Sequence, residues 1–91
     1  MKDMMSLMID LKNAVENAKF DNFTVLLFRL MLKSDSENMA KLSRGFPVEV
    51  RMVEIFRSRC PYLKELADDG FRKVDFKGIA LLAILEVEAG K

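Results

Sequence analysis

The sequence contains no histidine and only one cysteine, Cys60. These two shortages exclude Ser-His-Asp and Cys-His catalysis, zinc sites built from cysteine and histidine, and an intrachain disulfide. A secreted domain of this size usually carries several disulfides, so the single cysteine favours a cytoplasmic protein. Cys60 is expected to be a packed thiol, although Arg57 and Arg59 are cations of the kind that activate cysteines. We expect no enzyme, no metal site and no cofactor.

A long apolar stretch and an excess of charge of one sign are also missing. Asp10 ends the first apolar run before it reaches the roughly 7–15 residues of a secretory signal. Near the C-terminus the longest uncharged stretch is Gly78–Leu85, far below the ~20 residues that cross a bilayer. We expect neither a signal peptide nor a membrane span. The formal net charge of +1 gives the chain no general attraction to polyanions, and no motif indicates a small-molecule substrate.

Apolar residues, in contrast, are present in excess. With glycine counted and the single tyrosine left out they make up about 54% of the 91 residues, where soluble domains usually have about 45–50%. A domain this small buries only about 60–65% of the surface that its unfolded chain exposes. We therefore expect some apolar side chains to face a partner, either a second copy in a homodimer or another protein.

The spacing of the apolar residues predicts a single all-α domain over residues 1–91, a compact bundle of five or six short helices. The first helix is predicted from residue 4 to residue 18, because its apolar residues recur at helical steps of three and four along one face. They are Met4, Met8, Leu11, Val15 and Ala18.

The second predicted helix is apolar nearly all round. It runs from Asn22 to Lys33 after an N-cap at Asp21, and Arg29 is its one charged residue before Lys33. Such a helix is either the enclosed centre of a bundle or an element shared between subunits. We predict that it is the central helix of the bundle.

Two short helices are predicted next. Ser34 and Glu37 have the spacing of a capping box that begins a third helix, which ends near Arg44. Gly45 is expected to be left-handed after that helix, and Pro47 to occupy the first position of a fourth helix that continues to Arg59.

The end of the chain allows two interpretations. A short fifth helix is predicted between Pro61 and Gly70. The acidic residues at its end do not indicate a calcium site, because the residues that follow supply too few oxygen ligands. After it, alanine and leucine favour a helix that starts at Asp75. The alternative is a β-hairpin in which residues 71–76 pair with residues 79–87.

The most consistent function is a non-enzymatic protein–protein interaction module, acting as a homodimer, an adaptor or an inhibitor of a partner protein. The size and the missing chemistry suit a small accessory protein, such as one of a phage or other mobile element, although no residue carries that interpretation. The candidate contacts are apolar residues of the first helix and of the C-terminal segment. They are Met4, Met8, Leu11, Val15, Phe71, Val74 and Phe76.

The alternative function is nucleic-acid binding by the helix–turn–helix-like pair at residues 36–59. In such modules arginines of the second helix contact guanine edges and phosphates. Glu49 and Glu54 interleave with the arginines, which favours a solvated surface laced with ion pairs. The candidate nucleic-acid contacts are Arg44, Arg51, Arg57 and Arg59.

Overall fold

A computed structural model describes residues 3–16, 19, 21–59 and 63–90, and in these ranges it contains six helices and no strand. The all-α bundle is therefore confirmed, and the segment after Asp75 is a helix rather than a hairpin. Ala18, Cys60 and Pro61 lie outside the described residues. The helices are α1 (Met4–Glu16), α2 (Phe23–Lys33), α3 (Ser36–Ser43), α4 (Pro47–Arg59), α5 (Leu63–Asp68) and α6 (Phe76–Ala89).

Four of the helices close a ring around one hydrophobic core. Helix α4 packs against α6, α6 against α1, α1 against α2, and α2 against α4, whereas α3 packs mainly on α4. The rings of Phe56 and Phe76 stack between α4 and α6 with their centroids 6.2 Å apart. The largest fully buried side chains are Phe28, Phe56, Leu11, Met31, Met52, Ile79, Val25 and Val53.

Helix α2 supplies much of this core without being enclosed by it. Val25, Phe28 and Met31 are completely buried, but Phe23 and Leu26 are exposed. The predicted central position is corrected accordingly, because the ring of helices covers only one side of α2. An apolar sequence all round the helix therefore leaves apolar side chains in solvent.

The N-cap of α2 lies one residue after the predicted N-cap. Asn22, not Asp21, is the N-cap, and its side-chain oxygen accepts the Val25 N–H at 2.9 Å. The Asn22 amide also donates to the buried Asp10 carboxylate at 3.1 Å. An ionised aspartate has no donor for this second bond, so the contact with α1 selects asparagine.

The helix start at α3 is displaced in the same way. Asp35 is the N-cap and accepts the Asn38 N–H at 2.8 Å. Ser34 instead ends α2, where its hydroxyl donates to the Leu30 carbonyl at 2.8 Å. Two adjacent capping residues thus serve two different helix ends.

The turn between α3 and α4 keeps right-handed geometry. The only positive φ angles in the described ranges are at Gly70 and Phe71, so the left-handed Gly45 that the sequence predicts does not form. The backbone N–H groups of Gly45 and Phe46 both donate to the Leu42 carbonyl, at 3.2 and 2.9 Å. The predicted place of Pro47 as the first residue of α4 is confirmed.

Helix α5 ends in a left-handed turn that does require glycine. Gly70 has a φ of 65°, its N–H donates to Ala67 at 3.0 Å, and the Phe71 N–H donates to Leu66 at 2.8 Å. These two bonds form a Schellman motif. Phe71 and Leu66 both pack against the core, which adds the apolar contact that usually accompanies this motif.

Gly70→Ala is expected to lower the free energy of unfolding by about 1–2 kcal/mol, because a Cβ disfavours the left-handed backbone. Gly45→Ala is the matched control, since Gly45 has no positive φ and a Cβ there meets nothing within 4 Å. Urea unfolding of the two variants measures the difference. Equal stability of both would contradict the assignment.

Candidate interaction surface

The residues that the sequence suggests as partner contacts line the inside of the bundle. Leu11 is fully buried, and Phe76 retains only 6% of its surface. These two are corrected to core residues, because regular apolar spacing marks the side of a helix that packs inward. The remaining five are half-buried and pack against the core. They are Met4, Met8, Val15, Phe71 and Val74.

The outward sides of α1, α2 and α6 carry the large apolar residues that the structure exposes. Pairs spaced four residues apart lie on α1 and α6, and a set spaced by three and four residues lies on α2. The seven are Met5, Ile9, Phe23, Leu26, Leu30, Leu81 and Leu85. In the sequence, the overall excess of apolar residues signals them, and for α2 so does an amino-acid sequence that is apolar nearly all round the helix.

The largest of these sets is the outer stripe of α2, formed by Phe23, Leu26 and Leu30. Their side chains are 69%, 50% and 54% exposed. Arg29 does not interrupt the stripe, because its guanidinium is half-buried and donates to the Asn13 and Ala14 carbonyls of α1. The outward side of α2 is therefore apolar from its first residue almost to Lys33.

Phe46 in the turn before α4 extends the stripe. Its ring is half-buried and lies 6.1 Å from the Phe23 ring, with the ring planes inclined by 48°. Tilted aromatic pairs at this distance are mutually favourable. The Phe23 ring is thus supported on one side while most of its surface remains open to solvent.

Polar contacts fix both ends of α2. At the N-terminus, Asn22 joins the helix to Asp10 of α1. At the C-terminus, the Arg57 guanidinium of α4 donates to the carbonyls of Met31 at 2.8 Å, Leu32 at 2.5 Å and Ser34 at 3.2 Å. A cation that satisfies the last carbonyls of a helix also complements its dipole. Contacts within the chain therefore fix the position of the stripe at both ends.

A second arginine of α4 is also engaged within the chain. Arg51 donates to the Glu86 carboxylate of α6 and lies 3.8 Å from a Glu54 oxygen. This hydrogen bond lowers the pKa of Glu86 below its ordinary value and raises the pKa of Arg51. Arg44 and Arg59 are exposed. Of the four arginines of the nucleic-acid alternative, Arg51 and Arg57 thus have side-chain bonds to other helices, and Arg57 is exposed as well.

A cleft of about 360 Å³ lies between α3 and α4. It contains one carboxylate and one guanidinium, those of Glu54 and Arg57, and the Ser43 hydroxyl on its wall donates to the Ala40 carbonyl. The described part of the chain holds no group of three or more metal-binding side chains. The residues that line the cleft are Ser36, Met39, Ala40, Ser43, Val50, Glu54 and Arg57.

Comparison of the chain with models of protein families, with curated proteins and with solved structures finds no match. None of the helices within the described ranges is long and apolar enough to cross a membrane.

Arg57→Ala is expected to lower the free energy of unfolding by roughly 1–2 kcal/mol, because three carbonyls at the end of α2 lose a charged donor. Arg59→Ala removes the same charge two residues further along α4, from a side chain that makes none of these three bonds, and serves as the control. Urea unfolding at constant salt measures both. A loss of stability of the same size in Arg59→Ala would contradict the capping role.

Glu86 is expected to contribute a pH-dependent part of the stability. Because its pKa is lower in the folded chain than the ordinary value of 4.5, its contribution is present above that pH and is lost as the pH falls through the folded-state pKa. Glu86→Gln should therefore flatten the acid side of the stability profile relative to wild type. Glu88→Gln, which changes an exposed glutamate of the same helix without a salt bridge in the described ranges, is the matched control. Parallel profiles for wild type and Glu86→Gln would contradict this account.

Proposed function

We propose that the chain is a non-enzymatic protein–protein interaction module whose contact surface is the outer stripe of α2. The observation that carries this proposal is the exposure of Phe23, Leu26 and Leu30 on one side of a helix whose opposite side is completely buried. Neighbouring apolar side chains left in solvent by an otherwise well-packed bundle are typical of protein contact sites. The proposal retains the cytoplasmic setting expected from the single cysteine.

The energetics favour a covered stripe. Full burial of a phenylalanine or leucine side chain contributes about 1.5–3 kcal/mol relative to its exposed state. The folded monomer leaves at least half of this contribution unused at Phe23, Leu26 and Leu30. The fixed ends of α2 also reduce the conformational entropy that a partner has to restrict on binding.

The other exposed sets are pairs, and neither pair includes an aromatic residue. On α1 the pair Met5 and Ile9 is followed on the same side by Lys12 and Glu16. On α6 the corresponding pair consists of two leucines without an aromatic residue. Aromatic side chains are enriched in interface cores, whereas charged residues are depleted there. This contrast favours α2 as the contact helix.

Nucleic-acid binding gains no comparable support. Arg57 is occupied with the end of α2, and Arg51 is paired with carboxylates. Glu54 adds an exposed negative charge on the same helix. A phosphate-binding surface needs cations that are free to replace counterions. We therefore put forward no second function.

A photoreactive phenylalanine analogue at position 23 tests the proposal in the native host. Ultraviolet irradiation should attach it covalently to a protein, because the Phe23 ring would lie inside the contact. The same analogue at Lys41, an exposed position on α3, is the matched control. Adding Leu30→Glu should abolish the adduct, since a carboxylate in the stripe disfavours burial. The absence of any adduct from position 23, or equal adducts from Lys41, would contradict the proposal.

A further inference from the structure

We infer that the partner is a second copy of this chain, and that two α2 helices pack antiparallel across a twofold axis through their outer stripes. This inference rests on the proposed function and specifies its partner. A twofold contact places the same surface of both copies in one interface, so that surface has to be complementary to itself. The residues of α2 meet this condition.

The apolar residues match in one register. When two identical helices lie antiparallel, residues face each other if their numbers add to a constant. With the sum 56, Leu26 faces Leu30 of the second copy at both symmetric positions in the centre. The same register places Phe23 opposite Lys33 of the second copy at both ends, where an ammonium over an aromatic face is favourable. Both residues are exposed in the monomer.

The charges at the ends of α2 favour the antiparallel orientation. Asp21 precedes the helix and Lys33 ends it, and both are exposed. In an antiparallel pair, Lys33 of one copy lies at the end of the pair where Asp21 of the other copy precedes its helix. In a parallel pair, the two Asp21 carboxylates would lie at the same end of the pair, and the two Lys33 ammonium groups would lie together at the other end. Antiparallel helix dipoles oppose each other as well, so both electrostatic contributions act in the same direction.

The size of the stripe sets the expected strength of the dimer. The exposed 69% of Phe23 and about half of each leucine amount to roughly 300 Å² of apolar surface per copy. A standard interface buries about 800 Å² per partner. The α2 pair is thus a small contact even with Phe46 at its edge. We expect reversible dimers that form in the micromolar range.

Charge reversal tests the orientation and the partner together. Sedimentation equilibrium of the full chain from about 10 µM to about 0.5 mM should show a mass that rises from 10.5 kDa toward about twice that value. Asp21→Lys and Lys33→Asp should each weaken self-association about tenfold at low salt, because like charges then meet at both ends. An equimolar mixture of these two variants should form dimers again, since residues 21 and 33 then carry opposite charges at both ends of the mixed dimer. Unchanged self-association of both single variants would overturn the inference.

Two leucine variants locate the contact. Leu30→Glu should abolish the dimer, whereas Leu85→Glu, a matched change on the outward side of α6, should leave it intact. The helical circular dichroism signal confirms that each variant is folded. A dimer that survives Leu30→Glu and is lost in Leu85→Glu would overturn the inference by placing the contact on α6.

The mass of the wild-type chain and the identity of the adducts at position 23 separate the question of the partner from the question of the contact surface. A wild-type mass that stays at 10.5 kDa up to about 0.5 mM would overturn the second-copy partner. Adducts of the analogue at position 23 with a different protein would then still support α2 as the contact surface. Adducts with the chain itself would support both.

Discussion

Helix α2 is apolar on both sides, but the bundle buries only one of them. Val25, Phe28 and Met31 enter the core completely, whereas Phe23 and Leu26 on the opposite side remain in solvent. Among the described residues, α1 and α4 pack against α2, and its outer side stays exposed. The proposed contact surface follows from this one-sided burial.

The polar contacts of the bundle act mainly on the position of α2. Asn22 joins its start to Asp10, and Arg57 satisfies the carbonyls at its end. Arg29 turns away from the outer stripe toward the end of α1. Arg57, which suggests nucleic-acid binding in the sequence, is thus used to hold the end of α2.

The sequence predicts those features of the fold that depend on local chemistry. The start of α4 at Pro47 and the start of α6 after Asp75 follow from backbone restrictions and side-chain capping, which act within a few residues. The choice of cap before α2 is not local, because Asn22 is selected by its bond to Asp10, twelve residues away. Gly45 likewise keeps an ordinary φ because the turn continues in right-handed geometry.

The candidate surface was less accessible to sequence analysis than the fold. Periodicity identifies Leu11 as part of an apolar face but does not say whether that face packs inward or binds a partner. The excess of apolar residues indicates that some side chains remain exposed, without locating them. Identifying Phe23 and Leu30 as exposed requires the arrangement of α1, α2 and α4 around the core.

The most direct test of the account is the solvent accessibility of individual leucine methyl groups, measured by nuclear magnetic resonance with a soluble paramagnetic probe. If the outer stripe of α2 is a contact surface between copies, the methyl signals of Leu26 and Leu30 should broaden in dilute protein and become protected in concentrated protein. The signals of Leu81 and Leu85 should broaden equally in both. Equal broadening of Leu26 and Leu30 at all concentrations would contradict the account.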